Sequence, residues 1–60
     1  MYSRYRRAAK LGLSCAMFNV GVMCHNGQGV VQDYAEAVRW LYEAAATGHA
    51  RATEAVKHFH

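Results

Sequence analysis

No proline interrupts this 60-residue chain, and acidic residues are few, four against seven lysines and arginines. Because proline breaks helices and the abundant alanine is the best helix former, the composition favours an all-α fold. Hydrophobic residues make up 53% of the sequence, which excludes the low hydrophobicity and high net charge of disordered chains. A chain of this length forms at most one small domain, which buries only about 60% of the surface that the unfolded chain exposes.

A hydrophobic run long enough to cross a bilayer is also missing, since a transmembrane helix takes about 20 apolar residues. The basic start of the chain and the apolar stretch after it imitate a secretory signal peptide. That stretch, however, contains Asn19 and two glycines, and no A-x-A cleavage site follows it. We therefore expect neither a transmembrane segment nor a signal peptide. The compartment stays open, with the cytoplasm favoured.

Cysteine is scarce, and Cys15 and Cys24 are the only two. On one helix they would lie about 13 Å apart along the axis, whereas the Cα atoms of a disulfide lie within about 7 Å of each other. We therefore expect small apolar fillers and no disulfide. The four histidines have no H-x-x-x-H spacing, and no C-x-x-C pair occurs. The sequence thus predicts no metal site and no cofactor.

Catalytic patterns are missing as well. No S-x-x-K sequence is present, and a nucleophile needs a base within hydrogen-bond reach. His25 follows Cys24 directly, but neighbours in sequence on a helix point about 100° apart. We therefore predict no catalytic residue and no enzyme.

The chain does contain an internal repeat with an offset of 36 residues. Aligning residues 8–20 with residues 44–56 pairs small or apolar residues on one helical stripe. The matched pairs are Ala8 and Ala44, Ala9 and Ala45, Gly12 and Gly48, Ala16 and Ala52, and Val20 and Val56. Outside this segment, Tyr5 pairs with Leu41 and Met23 with Phe59. A period in the mid-thirties is typical of arrays of helix-turn-helix units.

Apolar periodicity predicts four helices. They run from about residue 2 to 10, from 13 or 14 to about 26, from after Asp33 to the left-handed cap at Gly48, and from 49 or 50 to the end. The predicted buried face of the second helix consists of Leu13, Ala16, Met17, Val20, Met23 and Cys24. That of the third consists of Tyr34, Ala37, Val38, Leu41, Ala44 and Ala45.

The stretch HNGQGVVQD predicts the turn between the second and third helices. Gly27 is expected to end the second helix with a positive φ, and Gly29 to let the chain turn back. Val30 or Val31 would pack against the resulting hairpin. Asp33 and Glu36 have the D-x-x-E spacing of a capping box, in which each side chain accepts from the other's backbone N–H.

These residues resemble the Sel1-like repeat, a relative of the tetratricopeptide repeat. The resemblance rests on AMFNVGVM, which includes Gly21, on the G-x-G-V of the loop, and on the residues Asp33, Tyr34, Ala37, Trp40, Ala44, Ala45, Gly48 and His49. It covers one complete repeat, residues 13–48, between the end of a preceding repeat (1–12) and the start of a following one (49–60). It implies antiparallel helical hairpins of solenoid type.

The sequence departs from the family's pattern at three places. Cys24 and Leu41 stand where the family usually has tyrosine. The last segment, RATEAVKHFH, lacks the asparagine and glycine found at Asn19 and Gly21. The final helix is therefore expected to be degenerate or capping.

The resemblance implies a non-catalytic adaptor that holds a protein or peptide on the surface formed by the first helix of each repeat. The candidate contacts are Phe18, Asn19, Val22, His25 and Trp40. For Phe18 and Val22 the alternative is packing against a neighbouring repeat, and for Trp40 it is packing in the core. Because stacked repeats need about three units for a continuous core, the chain would be a fragment, self-associate or belong to a larger array.

A second hypothesis is a binder of nucleic acid or an anionic surface. It would act through the basic first helix, which carries Arg4, Arg6, Arg7 and Lys10. No nucleic-acid motif is present, so nucleic acid is the less favoured partner. The two hypotheses differ in salt dependence, because binding by counterion release weakens steeply as salt rises.

Overall fold

The computed structural model describes residues 1–58, which form four α-helices and no strand. These are α1 (Tyr2–Lys10), α2 (Ser14–Asn26), α3 (Tyr34–Ala46) and α4 (Ala50–Val56). Each helix packs on the next one along the chain, and the contact between α2 and α3 is the most extensive. The all-α prediction and the starts of all four helices are confirmed.

The core between these helices is built from small side chains. Its buried residues are Ala9, Ala16, Met17, Val20, Cys24, Ala37, Leu41, Ala44 and Ala52. Val20 and Cys24 are the largest side chains among those that are almost fully buried. A core of alanines lets the helix axes approach closely, but it buries little apolar area per residue, so the packing of α2 on α3 decides the stability.

Gly21 allows that close packing. A Cβ atom placed on Gly21 would lie 2.8 Å from Cγ of Leu41 and 3.2 Å from the backbone oxygen of Ala37. Real Cβ atoms do not come so near to other atoms, so the side chain of Leu41 occupies the space that any other residue at position 21 would need. Gly21 is therefore required by contact with α3, since its own backbone is helical.

The chain leaves α1 and α3 in the same way, as the internal repeat predicts. Each helix is followed by a glycine with φ of +93°, Gly12 and Gly48 respectively. Both ends have the two hydrogen bonds of a Schellman motif. The N–H groups of Leu13 and Gly12 donate to the oxygens of Ala8 and Ala9 at 3.3 and 3.0 Å, and those of His49 and Gly48 donate to Ala44 and Ala45, both at 3.0 Å. The step from α1 to α2 therefore matches the step from α3 to α4.

The loop between α2 and α3 confirms most of the predicted turn. Gly27 has a φ of +71°, a left-handed conformation that glycine adopts without strain. Gly29 has the same φ. Val30 packs against the core, whereas Val31 is 85% exposed. The backbone N–H of Asp33 donates to the oxygen of Cys24 at 2.9 Å, which fastens the end of the loop to α2.

The predicted capping box is only half formed. Oδ1 of Asp33 accepts from the N–H of Glu36 at 3.1 Å, as expected of an N-cap. The prediction of the reciprocal bond, from the backbone N–H of Asp33 to the side chain of Glu36, is wrong. That N–H donates instead to the backbone oxygen of Cys24. The carboxylate of Glu36 accepts instead from Nε1 of Trp40 at 3.1 Å.

Three further expectations need correction. Leu13 and Tyr34, predicted to be buried, are 57% and 59% exposed. Leu13 is the extended N-cap of α2 and Tyr34 is the first residue of α3, so both precede the turns that pack. The fourth helix ends at Val56 instead of continuing to the chain end, and Phe59 and His60 lie outside the described residues.

We predict that Gly21→Ala destabilises the protein by about 1 kcal/mol or more. Alanine favours a helix over glycine by ~1 kcal/mol, but overpacking of a close contact costs ~1–3 kcal/mol, and the backbone of α3 has to move. Urea unfolding followed by circular dichroism measures the difference. Cys15→Ala, at an exposed position of the same helix, should change stability by less than about 0.5 kcal/mol. An alanine at position 21 that stabilises the protein would contradict the packing argument.

Candidate interaction surfaces

An open groove runs between α1 and α2, and we call it the α1–α2 groove. It consists of two adjoining hollows of about 490 and 410 Å³, which share Tyr5 and Asn19. Its walls are mainly small or apolar, and are formed by Met1, Tyr5, Ala8, Leu13, Asn19 and Val22. Met1 is 87% exposed, so the groove presents apolar side chains to solvent.

Two of the five predicted contact residues lie in this groove. Asn19 borders both hollows, and its Nδ2 donates to the backbone oxygen of Cys15 at 2.9 Å. Val22 borders the hollow near the loop. Both side chains are half-buried. The groove therefore combines apolar walls with one amide group.

Phe18 and His25 lie elsewhere on α2. The ring of Phe18 stacks on the imidazole of His49, with ring centroids 4.7 Å apart and an angle of 12° between the planes. Phe18 thus packs against the N-terminus of the neighbouring α4. His25 is exposed at the other end of α2, where it meets the edge of Tyr34 at a centroid distance of 5.2 Å.

Trp40 belongs to a different surface, a hollow of about 600 Å³ between α1 and α3 that we call the α1–α3 cleft. Charges of both signs surround it, from Arg6, Lys10, Glu36, Arg39 and Glu43. Nε1 of Trp40 donates to Glu36, and Arg39 lies 3.6 Å from the same carboxylate, so Glu36 joins two side chains of α3. Trp40 is half-buried and packs against the core.

Tyr2 joins α1 to α2 next to the α1–α2 groove. Its hydroxyl lies 3.9 Å from Sγ of Cys24. Burial raises the pKa of the Tyr2 phenol, and the hydrogen bond with Cys24 raises it further. The hydroxyl thus remains protonated at neutral pH. Cys24 is buried and Cys15 exposed, and both are free thiols.

Within residues 1–58, no three histidine, cysteine, aspartate or glutamate side chains come together as a metal site. In the same part of the chain, no helix has the length and apolar character needed to span a membrane.

The model of the Sel1 repeat matches residues 5–13 and 16–49, which is most of the chain. The chain belongs to the Sel1 repeat family. No curated protein and no solved structure matches it significantly. Sel1 repeats are helical hairpins of the tetratricopeptide type, and the family generally mediates protein–protein interaction as non-catalytic scaffolds.

The second matched segment, residues 16–49, contains nearly all of α2, the loop and α3. The hairpin whose helices meet at Gly21 is thus the Sel1 hairpin. The first segment, residues 5–13, covers the second half of α1 and its Schellman turn. The α1–α2 groove therefore lies beside the helix that opens the Sel1 hairpin.

Sequence reasoning did not select Tyr5 as a groove residue. The alignment at an offset of 36 residues indicates such a role for Tyr5, because it pairs Tyr5 with Leu41, which is buried against Gly21. Tyr5 occupies the corresponding place on α1, where no helix covers it completely, and it is only half-buried.

His49 is the N-cap of α4, and its imidazole stacks on the ring of Phe18. Its Nδ1 accepts from the N–H of Ala52 at 3.2 Å.

We predict that His49→Ala destabilises the protein by about 1–2 kcal/mol through loss of the cap and the ring contact. His49→Asn, which retains a capping acceptor, should lose about half as much. Thermal unfolding followed by circular dichroism tests this, with the exposed His58→Ala as the matched control. Equal losses for the two His49 variants would contradict the capping role.

Proposed function

We propose that this chain is a non-catalytic protein-interaction module that binds a segment of a partner protein in the α1–α2 groove. The observation that carries the proposal is the groove itself, where Met1 and Leu13 are exposed and Tyr5 and Val22 are half-buried. Exposed apolar surface with a polar rim is typical of interaction sites. Membership of the Sel1 repeat family supports the same function.

Within the groove, Val22 and Tyr5 would supply apolar contact and Asn19 a directional hydrogen bond. Phe18 and Trp40 have contacts inside the chain, so we assign them to packing. His25 lies beyond the groove and would contact only a partner that extends over the end of α2. The proposed recognition therefore depends on shape and apolar burial more than on charge.

The basic residues support the alternative of nucleic-acid binding less well. Arg4 borders the α1–α2 groove, whereas Arg6 and Lys10 border the α1–α3 cleft, where Glu36 and Glu43 offset them. Counterion release needs cations that face one phosphate backbone together. Arg6, Arg7 and Lys10 share one hollow of α1, but Arg4 lies apart at the groove, so only three cations of the helix face one side together.

A peptide-display selection on the immobilised chain tests the proposed function. We expect the selected peptides to bind the unaltered chain and to lose at least tenfold in affinity for Val22→Lys, because a lysine would place a charge in the apolar groove. Val31→Lys, at an exposed loop position outside the groove, is the matched control and should bind as before. Fluorescence anisotropy of labelled peptides gives the affinities.

Raising the salt concentration from 50 to 200 mM should change these affinities by less than about threefold, in contrast with the ~10³-fold or larger loss for a protein with many phosphate contacts. Selected peptides that bind Val22→Lys and the unaltered chain equally well would contradict the groove as the site. A steep salt dependence, together with binding of an unrelated DNA duplex, would favour the nucleic-acid alternative.

A further inference from the structure

The α1–α2 groove corresponds by the internal repeat to a surface that is covered elsewhere in the same molecule. Adding 36 to the groove residues Tyr5, Ala8, Leu13 and Ala16 gives Leu41, Ala44, His49 and Ala52. Leu41 contacts α2 at Gly21, and His49 contacts it at Phe18. The surface that α3 and α4 present to α2 is thus presented again, uncovered, by α1 and α2.

The two surfaces match in geometry as well as in sequence. The chain passes from α1 to α2 through the same Schellman motif, with the same φ at the glycine, as from α3 to α4. The turn that joins the two helices is therefore the same in both pairs. A helix that resembles α2 would therefore pack on α1 and α2 as α2 itself packs on α3 and on the start of α4.

We infer that the α1–α2 groove takes an amphipathic α-helix of a partner protein, and that this helix carries a glycine where α2 carries Gly21. The glycine is needed because Tyr5 stands at the position of Leu41, whose side chain fills the space of a Cβ at position 21. The inference rests on the proposed function, since it names the kind of segment that the groove binds. Arg4 at the edge of the groove favours a partner helix with an acidic flank.

The other end of the molecule does not offer the complementary surface. In the repeat alignment, Lys57 stands at the position of Gly21 and Thr53 at that of Met17. Both residues are exposed, and Nζ of Lys57 lies 3.8 Å from Oε1 of Glu54. A helix like α3 cannot approach the end of α4 as closely as it approaches α2, because α4 ends at Val56 and a lysine follows at the position of the glycine.

This difference also bears on self-association. Head-to-tail stacking of two copies would place α4 of one copy in the α1–α2 groove of the next. Lys57 would then take the position of the required glycine and face Tyr5 of α1. Because α1 also carries Arg4, two positive charges would lie near each other. A second copy of the chain therefore lacks the helix that the groove fits.

A tethered copy of α2 can act as the partner helix. Joining a second copy of residues 13–36 ahead of Met1 keeps the 36-residue register, since Met1 then follows Glu36 as Ala37 does in the native hairpin. Tethering supplies a high effective concentration and so removes the weakness of short free helices. We expect the melting temperature to rise by about 8 °C or more, independently of protein concentration, in circular dichroism under reducing conditions.

Two matched controls define the register. Gly21→Leu in the added copy should abolish at least half of the rise, whereas His25→Leu in the added copy, at an exposed position of α2, should retain it. Adding residues 25–48 after His60 continues the sequence repeat in the same register and should shift the melting temperature by less than about 2 °C, because Lys57 keeps the new helix away.

The inference is overturned by an N-terminal extension without a rise, by an equal rise with Gly21→Leu, or by an equal rise from the C-terminal extension. If the extension fails while selected peptides still lose affinity for Val22→Lys, the groove binds a partner that is not an α2-like helix, and only the helix is refuted. If the peptide selection fails as well, the proposed function falls with it.

Discussion

The close contact of α2 with α3 at Gly21 is the constraint on which the rest of the structure depends. It brings together two faces made largely of small residues and buries Val20 and Cys24 almost completely. Neither α1 nor α4 has a contact of this extent. Each packs mainly on one helix of the hairpin, so both depend on that hairpin for their positions. A core of small residues leaves little stability in reserve, which makes this single approach decisive.

The same contact explains why the two ends of the molecule differ. The two helices of the hairpin pack closely because Leu41 of α3 lies against Gly21 of α2. A further helix can pack in the same way only where the glycine or the residue that contacts it recurs. The position of Leu41 recurs at Tyr5 on α1, but Lys57, which directly follows α4, stands at the position of the glycine. The α1–α2 groove therefore lies at the end of the molecule that repeats the surface of α3, and the exposed side chains of Met1 and Leu13 border it.

Local signals in the sequence predicted most of the fold, because helix starts and turns depend on few residues. The N-cap at Asp33 and the left-handed Gly27 were correct. The predicted bond of Glu36 to the N–H of Asp33 and the predicted burial of Tyr34 were wrong, because both depend on how α3 lies against α2. The interaction surface was harder to predict. Helical spacing selects a face of α2, but only packing shows that Phe18 is stacked on His49 while Val22 stays open.

Native-state hydrogen exchange of the backbone amides tests most directly whether the α2–α3 contact holds the molecule together. The slowest amides should lie in α2 and α3 around Gly21 and Leu41 and should exchange only through global unfolding. Amides of α1 and α4 should exchange faster, through local opening that leaves the hairpin intact. If α1 or α4 contained the slowest amides, or if the amides around Gly21 exchanged by local opening, the hairpin contact would not be the constraint on which the fold depends.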